Sequence, residues 1–532
     1  MFRKIRFYTA LTSAFIRKGK KKITLGFVCI ILTIFFLKIV IPLVLPILAN
    51  VYYELKKPSF IEGVVGEPVY PNPLFDSNKT QKDISKLIYR GLTKVDIHGN
   101  LVPDLAENYK KVSDTEYIFN LKRNIYWHDG VKFTADDVVY TVEKAQDPEN
   151  TSVIADNFTD VSVSKINNYS IKFLLKEPFS PFPLSTTVGV IPKHVPLKKY
   201  KPIGTGVFQV KQITPNKLVL TTKKINLVFK FYTSFDQAKI ALKLGEIHAL
   251  GGFSPQEVGS IKAFGGKKIY QKTLPFRQTV VFFNTRVNSL NKKEVRQALS
   301  YAVDKRLIKD KAGGKNSIIA KNQLGLPTPS LNSNNERYPF DLETAKNLLT
   351  KAKYKNVGGK WQKDNKKITV DITTADDYEL NSIASLLKDS WVSFGIEVKT
   401  TIVDAEKLRK DIIPNQKFEI LVDFQDISPD PDQYVLWHTS QIHHANITGI
   451  KSPKLDKLLE EARKINENNV RIEKYKLFTK LLLDESPAIF LYYPQYIWAV
   501  SNKVGGIKLE KFANPVDRFN SYNNWKINSE LF

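Results

Sequence analysis

Residues 366–403 carry strand, helix and strand signals in direct succession, and this order restricts the fold more than any other feature of the chain. KKITVDITT (366–374) has the pattern of a strand, and SIASLLKDSWVSF (382–394) is an amphipathic helix that Gly395 ends. IEVKTTIV is then predicted as a second strand. A helix that joins two neighbouring strands of one sheet requires parallel strands and a right-handed crossover. The sequence therefore predicts α/β lobes, in which ligands bind near the carboxyl ends of strands.

The same alternation of strand and helix signals extends in both directions. FEILVDF (418–424) is predicted as a further strand, with a helical stretch at about 453–484 after a long polar loop. Nearer the N-terminus, EYIFNLK (116–122) places three apolar side chains on one strand face. Thr134 is a natural N-cap for the helix that follows, with Asp137 at the third helical position. These residues are explained by their structural roles and need no catalytic role.

The N-terminus has the composition of a membrane anchor. A basic segment, residues 1–22, precedes a mostly apolar run at residues 23–49, and about 20 apolar residues suffice to span a bilayer. The basic side should remain cytoplasmic, which puts the linker (50–60) and all later residues outside the cytoplasm. We therefore expect an uncleaved single-pass transmembrane helix at the cell membrane. A cleaved signal peptide is the alternative, although its apolar region is normally shorter.

Composition limits the classes of function. A chain of 532 residues predicts two or three domains, and the single cysteine, Cys29, lies in the apolar run. The net charge of +27 raises nucleic acid as a possible partner. The basic residues are scattered, however, and no helix-turn-helix, zinc-finger or RNA-binding signature is present. We expect no nucleic-acid partner.

The candidate catalytic residues have simpler interpretations. His128 and Asp129 are adjacent, so their side chains point in different directions and form a poor acid–base pair. His443 and His444 lack nearby acids at metal-ligand spacing, and GTG (204–206) lacks the Lys-Ser/Thr ending of a phosphate loop. No serine-hydrolase elbow or H-E-x-x-H motif occurs. We predict a binding protein that is not an enzyme, without catalytic residues, cofactor or metal site.

A long series of motifs resembles family 5 of the bacterial extracellular solute-binding proteins, the class with peptide-, nickel- and oligosaccharide-binding components of ABC importers. The signature region is YRGLTKVDIHGNLVPDLAENYKKVSDTEYIFNLKRNIYWHDGVKFTADDVVYTVE, residues 89–143. The later motifs are IPKH (191–194), PIGTGVF (202–208), GEIHA (245–249), FFNT with EVRQALSYAVDK (282–305), DLETAKNLL (341–349), FGIEV (394–398) and PDPDQY (429–434). The resemblance covers nearly everything after residue 60, in the order typical of the family.

The resemblance implies an α/β fold like that of the type II periplasmic-binding proteins, with two lobes and an extra domain inserted in lobe I. One N-terminal transmembrane helix would precede this fold. The implied divisions are lobe I in three parts (61–94, 200–282 and 490–532), the inserted subdomain (95–199) and lobe II (283–489). The WHDG and TADD motifs would then belong to the scaffold of the inserted subdomain.

The resemblance also implies a ligand between the lobes. Contacts are expected from Tyr70 and Asn72 after the linker, from Asn284 at the hinge, and from the second-lobe residues Phe424, Asp426, Trp437 and Asn446. Trp437 is equally compatible with ordinary packing in the core. Peptide binders of this family often carry an Asp shortly before the D-P-D loop. Here Ile427 stands near that place and Asp426 lies one residue away, so peptide specificity stays open.

The family's mechanism is capture of a solute by hinge closure and delivery to a permease. We expect a monomeric substrate-binding component of an ABC importer that binds peptide-like solutes and acts with permease and ATPase subunits. Other solutes, such as an oligosaccharide or a metal chelate, remain alternatives. So do a ligand-sensing or chaperone-like surface protein without transport, and an extracytoplasmic hydrolase that uses the same fold.

Overall fold

The computed structural model describes residues 2–41, 44–45, 57–67, 70–197, 201–326, 336–465, 467–509 and 512–527. The chain divides into two compact units. The smaller is Met1–Ser59 with Lys224–Asn226, and the larger is Phe60–Lys223 with Leu227–Phe532.

The smaller unit contains the predicted membrane anchor. Its main element is helix α1 (Phe2–Phe35), which continues into a π-helical turn at Phe36–Val40. The helix thus begins in the basic segment and includes only the first part of the apolar run. Among the described residues, no helix combines the length and the apolar character that crossing a membrane requires, so a transmembrane helix at 23–49 is not confirmed. Residues 42–43 and 46–56, which include most of the predicted linker, lie outside the described residues.

The larger unit contains the remaining elements, except for Ser59 and Asn226, which are the first residues of two of its strands and belong to the smaller unit. Its first part consists of β1 (Ser59–Val65), α2 (Lys79–Ile88), β2 (Thr93–Val95), β3 (Leu101–Pro103), β4 (Ala106–Lys111), β5 (Glu116–Leu121), α3 (Ala135–Gln146), β6 (Val161–Asn167), β7 (Ser170–Leu175), α4 (Phe182–Ser185), β8 (Gln209–Thr214), β9 (Lys217–Thr221), β10 (Asn226–Tyr232), α5 (Phe235–Leu244), β11 (Ala249–Gly251), α6 (Val258–Ala263) and β12 (Lys267–Thr273).

The second part begins with β13 (Arg277–Phe283), α7 (Lys293–Tyr301), α8 (Lys305–Ile308), β14 (Ile318–Ile319), α9 (Leu342–Lys351), β15 (Lys355–Val357), β16 (Lys360–Lys363), β17 (Lys366–Lys367) and β18 (Thr369–Ala375). It continues with α10 (Tyr378–Phe394), β19 (Glu397–Val403), α11 (Ala405–Lys407), β20 (Ile420–Asp426), α12 (Tyr434–Trp437), α13 (Pro453–Lys464), α14 (Asn468–Glu485) and β21 (Ala488–Tyr493). The chain then forms β22 (Gln495–Ser501), β23 (Val504–Gly505) and β24 (Lys526–Ile527).

The segment predicted as the inserted subdomain contains a four-stranded antiparallel sheet in the order β4-β5-β7-β6. Tyr117, Phe119 and Leu121 of β5 are buried, so the predicted inward face of this strand is confirmed. Thr134 and Asp137 form the predicted capping box at the start of α3. Two hydrogen-bond donors at this helix terminus are thereby satisfied by side chains.

The first lobe is organised by a seven-stranded mixed sheet in the order β12-β22-β11-β1-β10-β9-β8. Its centre is the parallel pair β1–β11, and β22 joins antiparallel to β11 and β12. The sheet thus combines strands from the two ends of the larger unit. Its core, which includes Ile247, Leu250 and Ile497, lies under α5 and α6.

The second lobe confirms the predicted βαβ unit. Its six-stranded sheet has the order β14-β21-β13-β20-β18-β19, and β18 is parallel to both β19 and β20. Helix α10 ends at Gly395 as predicted, with φ of 98°. Its start was placed four residues too late, because Asp377 is the N-cap and accepts from the backbone N–H groups of Glu379 and Leu380. The stretch predicted as helical at 453–484 is two helices, α13 and α14.

The chain crosses between the two lobes at two adjacent segments. One crossing is residues 274–276, between β12 and β13, and the other is Pro494, between β21 and β22. The backbone N–H of Leu274 donates to the Pro494 carbonyl at 2.8 Å, which ties the two segments together. The sheets change at these segments. The domain limits of the sequence analysis, which include changes after residues 282 and 489, stay predictions.

Candidate functional site

A cleft between the two lobes contains two large cavities. One cavity of about 780 Å³ is walled by β1, β11 and α2 of the first lobe and by the segment 376–381 of the second. A second cavity of about 820 Å³ shares Leu87 and Phe519 with the first, so the two adjoin. Sites of several hundred Å³ hold small molecules and short peptides. The cleft is the candidate site.

Helix α2 contributes one charged face to the 780 Å³ cavity. Lys79, Asp83 and Leu87 are spaced by four residues and therefore lie on the same side of the helix. Lys79 is accessible to solvent, but the surrounding cleft walls remove much of its water and lower the pKa of its ammonium group to about 8, with a further contribution from Arg277. Burial likewise raises the pKa of the Asp83 carboxyl. Both groups are thus sensitive to charge entering the cleft.

A buried ion pair forms the floor of this cavity. The Arg518 Nε lies 3.1 Å from Glu62 Oε1, and the indole N–H of Trp498 donates to both oxygens of the same carboxylate. Burial raises the pKa of Glu62, while Arg518 opposes that rise. Residues from β1 and from the C-terminal segment are joined in this way. The pair fixes the floor on which a ligand would lie.

Arg277 stands where the second lobe begins and organises its wall. Its Nε lies 2.9 Å from Asp426 Oδ1, and its guanidinium carbon lies 5.2 Å from the centre of the Phe424 ring. These contacts follow from strand register, because Arg277 of β13 is directly opposite Asp426 of β20. The antiparallel pairing thus brings residues about 150 positions apart to one wall of the cleft.

Two further carboxyls in this wall have strongly raised pKa values. Burial raises the pKa of Glu379 to about 8, and the Tyr492 hydroxyl donates to its Oε1 at 2.7 Å. Burial also raises the pKa of Asp423 to about 6. Glu379 is therefore mostly protonated at neutral pH, and Asp423 mostly ionised. The negative charge of Asp377 contributes to both shifts.

Three of the predicted contact residues lie around one small cavity. Phe424, Asp426 and Trp437 line a space of about 200 Å³, and Phe424 also borders the 780 Å³ cavity. Trp437 is almost fully buried, with 1% of its surface exposed. Tyr70, by contrast, is 66% exposed and does not line any of the cavities described above. Three of the four predicted second-lobe residues thus lie around one cavity, and their contact with a ligand stays a prediction.

The three predicted asparagines are buried and hydrogen-bonded within the protein. Asn72 Oδ1 accepts from the backbone N–H of Leu74, and Asn284 Nδ2 donates to the Phe418 carbonyl. Asn446 Nδ2 donates to backbone carbonyls of its own loop. Its Oδ1 accepts from a hydroxyl two residues later in the chain and from a backbone N–H three residues later. These bonds give all three side chains a structural role. Contact with a ligand stays a prediction for each.

The WHDG and GTG motifs lie together and stabilise the scaffold. Gly204 N–H donates to His128 Nδ1, and the other ring nitrogen lies 2.9 Å from the Gly206 carbonyl. Because Nδ1 accepts, Nε2 is the nitrogen that donates. A Cβ on Gly204 would lie 1.9 Å from the Ile88 carbonyl oxygen, so glycine permits this contact with α2. Asp129 has a partner that the sequence did not suggest, His194, at 2.7 Å.

The inserted subdomain also contacts the second lobe. The guanidinium of Arg463 lies between two rings, 4.7 Å from the centre of Phe179 and 4.2 Å from that of Tyr434. Its Nε donates to Asp432 at 2.9 Å, and the backbone N–H of Ser180 donates to the Arg463 carbonyl. Phe179 and Ser180 belong to the inserted subdomain, and the others to the second lobe. We call this contact the latch.

Ile427 stands near the position where the sequence resemblance leads us to expect an Asp. Ile427 is 6% exposed, lines the 820 Å³ cavity, and donates its backbone N–H to the Phe276 carbonyl. Position 427 is therefore an apolar part of the cavity wall.

Sequence reasoning missed the charged residues of the cleft. Glu62, Lys79, Asp83, Glu379 and Arg518 come from widely separated segments and form no local motif. The one available signal was an acid or base in an otherwise apolar strand, as for Glu62 in SFIEGVV.

Comparisons with known proteins agree with this architecture. The oligopeptide-binding protein AppA of Bacillus subtilis (strain 168) is 26% identical over 485 residues, which cover 85% of this chain and 89% of AppA. A dipeptide-binding protein of Escherichia coli (strain K12) is 22% identical, with 83% and 90% covered.

Two solved structures share both fold and sequence similarity. NikZ from Campylobacter jejuni, in complex with Ni(L-His), has a TM-score of 0.75 at 26% identity and covers 88% of this chain and 99% of its own. AppA from Bacillus subtilis, in complex with a nonapeptide, has a TM-score of 0.73 at 25% identity, covering 89% and 100%. The family described as "Bacterial extracellular solute-binding proteins, family 5 Middle" matches residues 100–445, well over half of the chain. The chain therefore belongs to family 5 of the bacterial extracellular solute-binding proteins.

Proposed function

We propose that this protein is the extracytoplasmic substrate-binding component of an ABC importer. It captures a peptide-like solute between its lobes and delivers it to a permease driven by an ATPase. The observation that carries the proposal is the cleft, which is walled by both lobes; within the described residues, the chain passes between the lobes at two adjacent crossings, residues 274–276 and 494. A cleft of this kind can close around a ligand by rotation at the crossings.

Peptides are the class of solute that fits the cleft best. Two adjoining cavities of about 820 and 780 Å³ provide an extended space, which suits a chain more than a compact molecule. The cleft also presents both charge signs, with Lys79 and Arg277 beside Asp83 and Asp377. A peptide carries both signs at its two ends. The similarity to two peptide-binding relatives supports the same choice.

Hinge closure gives the latch a function. Arg463 is held by Asp432 and Tyr434 on its own lobe and contacts Phe179 only when the inserted subdomain is close. A cation over an aromatic ring contributes about 0.5–1 kcal/mol at exposed sites. The latch therefore stabilises the arrangement described here, and its loss should speed any opening that separates Phe179 from Arg463 and so releases the ligand.

One observation favours a second candidate. NikZ, whose structure holds Ni(L-His), has similarity to this chain comparable to that of AppA. A metal chelate of an amino acid is thus the alternative solute. It would use the same closure of the cleft and the same permease.

Native mass spectrometry of the full chain, purified without denaturation, tests the proposal. A monomer mass with a released mixture of short peptides is the expected result. A single sugar or metal chelate would overturn the peptide assignment but leave the binding function. Stopped-flow measurement of peptide release should then be faster for Phe179→Ala than for the wild type. Phe340→Ala, at an exposed phenylalanine of the second lobe, is the control and should not change the rate.

A further inference from the structure

The first helix of the chain is much more basic than the rest of the protein. Residues 1–50 carry nine Lys or Arg and no Asp or Glu, so less than a tenth of the 532 residues supplies a third of the net charge of +27. Helix α1 (Phe2–Phe35) contains eight of these nine basic residues. Because no acidic residue of this segment balances them, α1 attracts negatively charged surfaces.

The first part of α1 has a basic side and an apolar side. Helical periodicity places Arg3, Arg6 and Arg17 along one side of the helix. The large apolar residues Ile5, Phe7, Tyr8 and Leu11 occupy the other side. Lys4 and Lys18 stand at the two ends of the apolar side, where their long side chains can extend away from it. This separation is typical of helices that lie at a boundary between water and an apolar phase.

The apolar side is exposed to solvent. Every side chain from Arg3 to Ala14 is exposed, and the four large apolar ones are more than half exposed: Ile5 (57%), Phe7 (63%), Tyr8 (63%) and Leu11 (52%). A continuous exposed apolar surface is unfavourable in water and marks a contact surface. The hydroxyls of Thr9 and Thr12 donate to carbonyls of their own helix, so they can enter an apolar phase without losing these hydrogen bonds.

An anionic lipid surface complements both sides of this helix. Nucleic acid would attract the arginines but would leave the apolar side in water. A second copy of α1 would cover the apolar side but would bring like charges together. A bilayer with anionic lipids offers negative headgroups and an apolar phase at the same boundary. The helix also continues into residues 23–35, which carry no charge.

We propose that residues 3–18 of α1 bind along the surface of an anionic bilayer. Phe7, Tyr8 and Leu11 enter the boundary between headgroups and acyl chains, while the arginines supply the attraction to anionic headgroups. Such a helix lies in the plane of the surface, so its attachment depends on the lipid composition. This interaction surface is separate from the cleft and does not depend on the solute that the cleft binds.

Fluorescence of the full chain in lipid nanodiscs tests the attachment. Cys29 is the only cysteine, so Cys29→Ser combined with Leu11→Cys or with Ser13→Cys gives one labelling position on the apolar side or on the basic side. Each variant carries an environment-sensitive NBD fluorophore in discs of phosphatidylcholine alone or of equal parts phosphatidylcholine and phosphatidylglycerol. The emission at position 11 should rise by about twofold or more with phosphatidylglycerol, while the emission at position 13 should change little. Added salt should reverse the rise.

The triple variant Arg3→Gln, Arg6→Gln, Arg17→Gln should abolish the rise at position 11. Each charge near an anionic surface strengthens binding by about fivefold, so loss of three weakens it by about a hundredfold. A control that removes three exposed lysines of the larger unit, Lys351→Gln, Lys355→Gln, Lys399→Gln, should keep the full rise. Equal emission at position 11 in the two kinds of disc, which contact with neutral lipid or with a second copy would give, would overturn the proposal. So would an equal rise at positions 11 and 13, or an unchanged rise in the arginine variant.

Discussion

Glu379→Gln should change how the stability of the protein depends on pH. Glu379 is buried in the wall of the second lobe, and burial raises its pKa from the ordinary value of 4.5 to about 8. Glutamine has the shape of the protonated acid and does not titrate. Its amide oxygen can still accept from the Tyr492 hydroxyl, which lies 2.7 Å from Oε1 in the native protein. The substitution therefore removes the titration and keeps the packing.

The sign of the effect follows from proton binding. The folded state holds the Glu379 proton up to a pH of about 8, whereas the unfolded chain releases it above its ordinary pKa of 4.5. Between these values the wild type loses stability as the pH rises, by up to about 1.4 kcal/mol per pH unit. From pH 5 to pH 8 this amounts to about 3 kcal/mol. The loss is absent in the variant.

Urea unfolding of both proteins at pH 5, 6, 7 and 8, at constant ionic strength, measures the effect. The difference in free energy of unfolding between variant and wild type should grow with each pH step, in favour of the variant. Glu107→Gln, at an exposed position of the inserted subdomain, should follow the wild type throughout. If the free energy of unfolding changed with pH in the same way for Glu379→Gln and the wild type, the raised pKa of Glu379 would be refuted.

Two other substitutions test packing and charge burial. Gly204→Ala should lower the free energy of unfolding by about 1–3 kcal/mol, because the new Cβ would lie 1.9 Å from a backbone oxygen. Gly259→Ala, where no atom lies within 4 Å, should leave it unchanged or raise it by up to about 1 kcal/mol, and urea unfolding compares the two. Arg518→Met should cost about 3–5 kcal/mol because it leaves Glu62 buried without its cation. Adding Glu62→Gln should recover most of that loss in the same assay, and no recovery would contradict the pairing.

Local sequence patterns were sufficient to predict a structural feature when the residues that determine it lie within a few positions of one another. The inward face of β5, the capping box at Thr134 and the end of α10 at Gly395 all follow from periodicity or from one backbone preference. The start of α10 was misplaced because Asp377 lies before the apolar pattern begins. Its capping role depends on side-chain hydrogen bonds that periodicity does not report.

The site was less accessible to sequence reasoning. Of the residues expected to contact a ligand, Phe424 and Asp426 line a cavity at the carboxyl end of β20. This position agrees with the rule that ligands bind near the carboxyl ends of strands. Asn284 and Asn446 were equally plausible by position, but both are engaged in bonds to neighbouring backbone. Whether an asparagine faces a ligand or its own loop depends on neighbours that are distant in sequence.

The sequence by itself determined the α/β class, the parallel strands of the second lobe and the family, because each depends on the order of local elements and motifs. Only the tertiary structure decided the charge of the cleft. Glu62 pairs with Arg518, and Arg277 pairs with Asp426, although the two partners of each pair are more than a hundred residues apart in the sequence. Electrostatic interaction depends on distance in space and on burial, and neither can be read from separation along the chain. A chain with a net charge of +27 can therefore gather seven acidic side chains around one cavity.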